Sequence, residues 1–567
     1  MLSQELRINP WILMAAFMVL VGPFALNFHM HYPDEIYYRD AAVKMLQNGD
    51  YFTTYLGSGE LRFKKPILTY WAVVAGFKLF GVNEFGSRIF FLLSGAFTVG
   101  LTFWLGKVLF RNEKIASVSA LIMAANPVLI LSSGRSIPDV LLVLTMTISA
   151  IGFAGLLRNG DQASKKYSWL MYLGLALAFE VKGLPAAALG VLGLLFLLFN
   201  PWKRISWKTL LNIPALAVSL FIALFWFVAM WKIHGPTYLD SFLEDQVGIR
   251  VASRILLIFQ NGLLAFVLLI AMFIPWVLLA IPASKNLIVK CWKENAAFFG
   301  FAILWGLAIL AMGAMTSKFY ERYLLPVAPV LAVWLGWVLV RGGAFNRQKS
   351  IKISLGVLLF VIVILAGFSI SINSGEKGTV WLRLQWLIGA LFLSYAAITW
   401  VGSPKKLPKL IAYSFLLIFF MLSTITYHIS LPHQGNQVWS YVEKAQINPE
   451  LPIGFVGNLH AGSKIRMSLG TSYHLVDLSR SGWKNEVAQF ENLIIEDRML
   501  DSLDTSGFEV NQASVSWDSK QIPDLLKLYG KPEFDLLLES TGRKYFFLSR
   551  KNDFLKGKNK TPSFLRV

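Results

Sequence analysis

Five short stretches bring acids and bases together in a pattern that could do chemistry. In "YPDEIYYRDAAVKML", Pro33 precedes the adjacent carboxylates Asp34 and Glu35, and Tyr37 and Tyr38 follow. "GRSIPDVLL" again sets an acid directly after proline, supplying Arg135 and Asp139. "FEVKGLPAA" adds Glu180 and Lys182, "TSKFYERYLLPVAP" adds Lys318, Arg322 and Tyr323, and "RFKKPILTYW" adds Arg62, Lys64 and Lys65. Each has a plain reading alone, because an acid in the first helical turn stabilises the helix's positive end. Together they fit one chemistry: cations neutralise a departing phosphate while a carboxylate takes the proton of an attacking hydroxyl. A lipid-linked sugar phosphate has such a leaving group. No Walker loop or dinucleotide glycine fingerprint accompanies them.

The elements that must position these residues are membrane spans. The 567 residues are 55% hydrophobic and 15% charged, against about 25% charged in a soluble domain. Apolar runs of membrane length lie near 11–30, 87–109, 115–132, 139–157, 168–180, 184–199, 211–232, 256–281, 295–315, 323–340, 353–372, 383–401 and 410–428. They predict about thirteen transmembrane helices, the first retained because no small-residue cleavage site follows it. The net charge of +20 is concentrated between the spans, in loops such as "RNGDQASKK", "PWKRISWK" and "RGGAFNRQKS". That placement indicates orientation in a membrane and argues against nucleic acid as a partner.

Basic loops alternate with the rest, so they are assigned to the cytoplasm, and all five chemical stretches then fall on the outer side. The segment 31–86 is the first outer loop. Its Asp34, Tyr37 and Tyr38 share one helical face by i, i+3 and i+4 spacing, and the apolar positions predict an amphipathic helix on the outer surface. His29 and His31 flank it as interfacial anchors. The transmembrane domain is thus expected over 1–429. From 430 to 567 acids and bases are nearly balanced, and runs such as "IGFVG" and "KYFFLSR" alternate with polar helical stretches, predicting a soluble outer α/β domain. The lone cysteine, Cys291, excludes an intramolecular disulfide.

In order and spacing, "PDEIYYRDAAVKMLQNGDYFTTYL", "FKKPILTYWAVVAGFKLFGVNEFGSRI", "PDVLL", "VKGLPAAALG" and "KFYERYLLPVAP" resemble the ArnT/protein O-mannosyltransferase branch of membrane glycosyltransferases. The likeness is greatest to the bacterial lipid A aminoarabinose transferases and covers about the first 340 residues. It implies a C-type glycosyltransferase fold with the site at the outer face. It also implies an inverting transfer from a polyprenyl (undecaprenyl) phosphate sugar to lipid A, lipopolysaccharide or another cell-envelope glycan. By this resemblance Asp34 is the essential carboxylate, Asp139 the second outer acid, Lys65 the lysine near the donor phosphate, and Arg322 and Tyr323 the pair before "LLP". Glu35, Tyr37, Tyr38, Arg62, Lys64, Arg135, Glu180, Lys182 and Lys318 are expected to bind substrate or hold these groups in place. Lys64 stands where relatives usually carry Glu, and Tyr37 where the lipid A enzymes often carry Arg, so the sugar is left open.

The expected location is a bacterial inner membrane, with the N-terminus cytoplasmic and the last domain periplasmic. A monomer is expected, with a lipid-linked donor and a lipid or glycan acceptor as partners. No cofactor is required on this reading, and the absence of His/Cys ligand spacing leaves a divalent metal open. A protein acceptor and a diphosphate-donor oligosaccharide ligase are the neighbouring alternatives. A transporter would more often show an internal repeat and charges at the midplane, whereas these charges collect at one face.

Overall fold

Every one of the expected apolar runs is helical, whole or broken, in the computed structural model, which describes residues 6–27, 33–244, 255–372, 379–402, 406–429, 432–478, 482–517, 528 and 532–551. His29 and His31 lie outside the described residues. Among the described residues nine helices are long and apolar enough to cross a membrane. A pair bent by 60°, Glu113–Ala124 and Pro127–Ser133, makes ten if it is counted as one broken span. The helices Lys165–Lys182, Leu184–Phe199 and Ile255–Ala271, also expected as spans, are shorter or more charged than that standard. Faces of the later helices expose Phe221, Phe259, Phe360, Leu391 and Val401, as a hydrocarbon surround requires.

The first helices in chain order are α1 (Pro10–Asn27), α2 (Glu35–Asn48), α3 (Leu68–Phe80), α4 (Glu84–Phe110), α5 (Glu113–Ala124), α6 (Pro127–Ser133), α7 (Pro138–Asn159) and α8 (Lys165–Lys182). Local rules explain their ends. Asn83 and Asn112 accept backbone N–H bonds as side-chain caps of α4 and α5, and Gly49 ends α2 at φ 72°, where a side chain would be strained. The antiparallel pair α7 and α8 packs with almost no space between backbones. A Cβ on Gly174 would lie 2.5 Å from the Ser149 nitrogen, and one on Gly152 would collide with Met171. Small residues replace bulk as the means of association in lipid, and this contact sets the start of α7 beside the end of α8.

Residues after 432 form a separate domain around a five-stranded sheet: β1 (Ile453–Val456), β2 (Leu475–Asp477), β3 (Asn492–Glu496), β4 (Phe508–Ser516) and β5 (Arg543–Arg550), ordered β2-β1-β3-β5-β4. The first three strands are parallel and the last two join antiparallel. β1 and β3 are buried throughout because apolar clusters cover both faces, one around Phe455 and Tyr545, the other around Leu493 and Leu548.

The domain docks on α2. The sequence predicts an amphipathic helix with its polar side to water, yet Asp40 and Lys44 are buried along with Ile36, Ala41 and Met45. The reason is the helix Leu459–Leu469 of this domain, which lies against that polar side, and Ser463 donates to Asp40 Oδ1 at 2.7 Å.

Candidate active site

Asp34 is the residue before α2 and makes no side-chain cap bond, so capping does not account for it. Its carboxylate, half-exposed, instead receives Arg322 Nη2 at Oδ2, 2.8 Å away. Arg322 is buried in the turn Glu321–Val327, and its Nε donates to Asp139 Oδ2 at 3.1 Å. Asp139 is in the first turn of α7, and Lys182, in the last turn of α8, donates to its other oxygen at 2.5 Å. Four residues from four elements thus form one chain of charge: Asp34, Arg322, Asp139, Lys182. Tyr320 and Tyr323 line it, with the Arg322 guanidinium 4.0 Å from the Tyr320 ring centre and Lys182 Nζ 4.5 Å from that of Tyr323. Lys65 is buried within electrostatic reach of Asp139.

A tyrosine bed adjoins this chain. Tyr38 packs against Tyr70 with ring centres 4.9 Å apart, and Arg62 donates to the Tyr70 hydroxyl at 2.6 Å while lying 4.3 Å over Tyr37. Burial pushes the Tyr38 phenol well above its usual range, Tyr70 adds to this, and Arg62 opposes it. Tyr38 therefore stays protonated. Tyr37, Arg62 and Lys64 face a cavity of about 560 Å³ whose far wall includes Leu459 and Asp477 of the C-terminal domain.

Glu35 turns the other way, into the protein. The sequence reading groups it with the substrate-binding residues, but it is fully buried, with both oxygens engaged. Arg88 Nε and Nη2 donate at 2.9 and 2.8 Å, Arg39 at 3.2 Å, and the Ser136 backbone N–H at 2.8 Å. Burial alone would raise its pKa. Arg39 and Arg88, with the bonds from Arg88 and Ser136, outweigh that and bring it down to about 2. Glu35 is the pin that holds α2 to α4 and to the loop before α7. Arg135 belongs to the same loop and pairs with Glu321 at 3.7 Å, tying it to the Arg322 turn. Glu180 is buried two residues before Lys182, but makes no ion pair with a described residue, and Lys318 is exposed and apart from the charge chain.

Arg39, Arg88 and Ser136 are absent from the sequence-based set. Arg88 had a usable signal, since an arginine at the edge of a span needs a partner. Ser136 had none, because nothing in the local sequence shows that its backbone N–H and its hydroxyl both turn to Glu35. Among the described residues no cluster of three or more His, Cys, Asp or Glu could hold a metal ion.

The family described as dolichyl-phosphate-mannose-protein mannosyltransferase matches residues 11–239. An uncharacterised protein of Aquifex aeolicus is 26% identical over 442 residues, 76% of this chain and 80% of its own length. The undecaprenyl phosphate-α-4-amino-4-deoxy-L-arabinose arabinosyl transferase of Pseudomonas aeruginosa is 27% identical over 349 residues. That match takes in 60% of this chain and 62% of the relative, so the chain spans about three fifths of the length of such transferases. Among solved structures, ArnT of Cupriavidus metallidurans bound to undecaprenyl phosphate superposes with a TM-score of 0.70 at 17% identity, covering 95% of this chain and 97% of that one. At that identity the likeness establishes the fold, a C-type glycosyltransferase architecture. Fold, motif order and relatives agree: the chain has the fold of ArnT, its first part matches the mannosyltransferase family model, and it is similar to polyprenyl-phosphate-dependent membrane glycosyltransferases.

Proposed function

We propose that the protein transfers a sugar, with inversion, from undecaprenyl phosphate or a similar polyprenyl phosphate to a hydroxyl of lipid A, lipopolysaccharide or another cell-envelope glycan. The reaction takes place at the outer face of a bacterial inner membrane, with the N-terminus cytoplasmic and the outer domain periplasmic. The observation that carries this reading is the charge chain from Asp34 through Arg322 and Asp139 to Lys182. It joins a half-exposed carboxylate to buried cations at one mouth of the helix bundle.

In the reaction the acceptor oxygen attacks the anomeric carbon, the bond from that carbon to the phosphate oxygen breaks, and the acceptor proton passes to Asp34. Lys65, Lys182 and Arg322 take the charge that builds on the departing polyprenyl phosphate. Asp139 keeps Lys182 and Arg322 side by side, which like charges would not do unaided. Arg322 has a double allegiance: a phosphate arriving among the cations competes with Asp34 for the guanidinium and releases the carboxylate to act as base. Tyr38 stays protonated beside them, and Tyr37 offers an aromatic face to the sugar.

No cofactor is required on this reading, since the chain's own cations supply the countercharge. Purified protein with radiolabelled polyprenyl-phosphate sugars and envelope lipids is expected to release polyprenyl phosphate, undiminished by EDTA. No release from any monophosphate donor would overturn the function; abolition by EDTA would overturn the metal-free account.

Arg322→Lys keeps the positive charge but loses the planar fork that reaches Asp34 and Asp139 at once. We expect kcat to fall about 10- to 100-fold, the usual consequence of a misplacement near 1 Å, with a higher donor KM. Wild-type kinetics in this variant would remove Arg322 from the mechanism.

A further inference from the structure

Arg466 belongs to the outer domain and is 1% exposed, yet its guanidinium joins three separate parts of the protein. Nη1 lies 2.8 Å from Asp40 Oδ2 on α2. Nη2 donates to Asp477 Oδ1, at the end of β2, at 2.6 Å, and to the Gly57 carbonyl in the first outer loop at 3.3 Å. Gly57 lies in the turn closed by the Tyr55–Leu61 bridge, and the chain leaving that turn carries Arg62, Lys64 and Lys65. The close approach requires glycine, because a Cβ at position 57 would collide with the Asp477 carboxylate and the Arg466 guanidinium.

The same face of α2 makes further bonds to the outer domain. Lys44 Nζ donates to the Leu475 carbonyl at 3.2 Å, Gln47 to that of Tyr473 at 3.0 Å, and Arg39 Nη1 to Met467 Sδ at 3.3 Å. The helix is therefore held from two sides. Glu35 pins it to the membrane bundle, and Arg466 pins it to the outer domain and the cationic loop. Asp34, Tyr37 and Tyr38 are carried on its first turns.

We propose that Arg466 is a positioning residue of the transfer site, setting the helix that bears Asp34 against the loop that bears Arg62, Lys64 and Lys65. The proposal rests on the transferase reading above and assigns the outer domain a part in it. The domain completes the cavity through Leu459 and Asp477 and also fixes the relative placement of the base and the cations. A buried guanidinium with two hydrogen-bond acceptors and an ion pair to Asp40 suits this task, because its directions are more rigid than apolar packing, which would let the segments slide.

Removing Arg466 alone would strand two buried carboxylates and endanger the fold. The informative variant is Asp40→Asn/Arg466→Met/Asp477→Asn, which removes the two carboxylates and the guanidinium together and leaves Lys44 bonded to the Leu475 carbonyl. It is expected to fold, to unfold thermally within a few degrees of the wild type, and to keep donor KM within about threefold, while kcat falls more than about tenfold. Gly57→Ala, which removes no charge, is expected to shift kcat in the same direction. Hydrogen exchange gives a readout independent of any donor: amides of residues 35–42 and 54–63 should exchange faster in the triple variant, with the spans unchanged. Wild-type kcat in a stable triple variant would overturn the positioning role. If the wild type releases nothing from any donor, the transferase reading fails by itself. Exchange then decides whether Arg466 holds the two segments, and an unchanged pattern would overturn that too.

Discussion

Asp34→Asn is expected to abolish transfer while the protein still folds and binds its donor. The asparagine has the same shape and can still accept a hydrogen bond from Arg322 through its carbonyl oxygen, so the chain of contacts to Asp139 and Lys182 survives. What it cannot do is accept the acceptor hydroxyl's proton. General-base catalysis contributes about 10²- to 10⁴-fold, so turnover should drop by about three orders of magnitude. Stability should move by less than about 0.5 kcal/mol, since Asp34 makes no helix-cap bond and its carboxylate is half-exposed. Release of polyprenyl phosphate, measured beside donor binding and thermal unfolding, separates these effects. Retained turnover in a folded variant would remove Asp34 from the role of base.

Glu35→Gln, one residue further on, is expected to do the reverse and act through stability. Arg39 and Arg88 share the Glu35 carboxylate in a site closed to water. Neutralising it leaves buried guanidinium charge in excess, a change that costs about 3–5 kcal/mol when a buried pair is broken. The pH dependence has a definite sign. The folded-state pKa of about 2 lies below the ordinary 4.5 of a glutamate. The stabilisation is therefore fully present above pH 4.5 and is lost as pH falls through 2. The difference corresponds to about 3 kcal/mol. Thermal unfolding in detergent should show a markedly lower Tm for Glu35→Gln at neutral pH, with the gap from wild type narrowing below pH 4.5. An unchanged Tm together with lost turnover would return Glu35 to the substrate-binding set.

The two adjacent acids thus have opposite fates, and nothing local distinguishes them. Both follow Pro33, both suit the start of a helix, and the family pattern includes both. Their separation depends on direction: residue 34 precedes the helix and turns to the mouth, whereas residue 35 opens it and turns inward to Arg88. The spacing argument placed Tyr37 and Tyr38 on one face with Asp34, and the helix bears out their common end. It could not show that Tyr38 goes under the surface to meet Tyr70 while Tyr37 remains at the cavity.

Patterns that physical law makes local were legible in the chain by itself. Apolar runs near membrane length must be helices, because backbone groups in hydrocarbon have no other partners, and each such run is helical. Proline before acid marks helix starts, and α7 begins at Pro138. The composition changes near residue 430, and a mixed five-stranded sheet follows. The charged stretches could be expected to meet, since unpaired charge at a membrane face is expensive, and Asp34, Asp139, Lys182 and Arg322 do so. Only the tertiary structure decided which charge meets which. Arg322 meets Asp139 across 183 positions, and Arg466 meets Gly57 across 409. Such pairings arise from how α7, α8, the Arg322 turn and the outer domain close on one another, and hydrophobic periodicity constrains the faces of helices but not the partners of the polar groups between them.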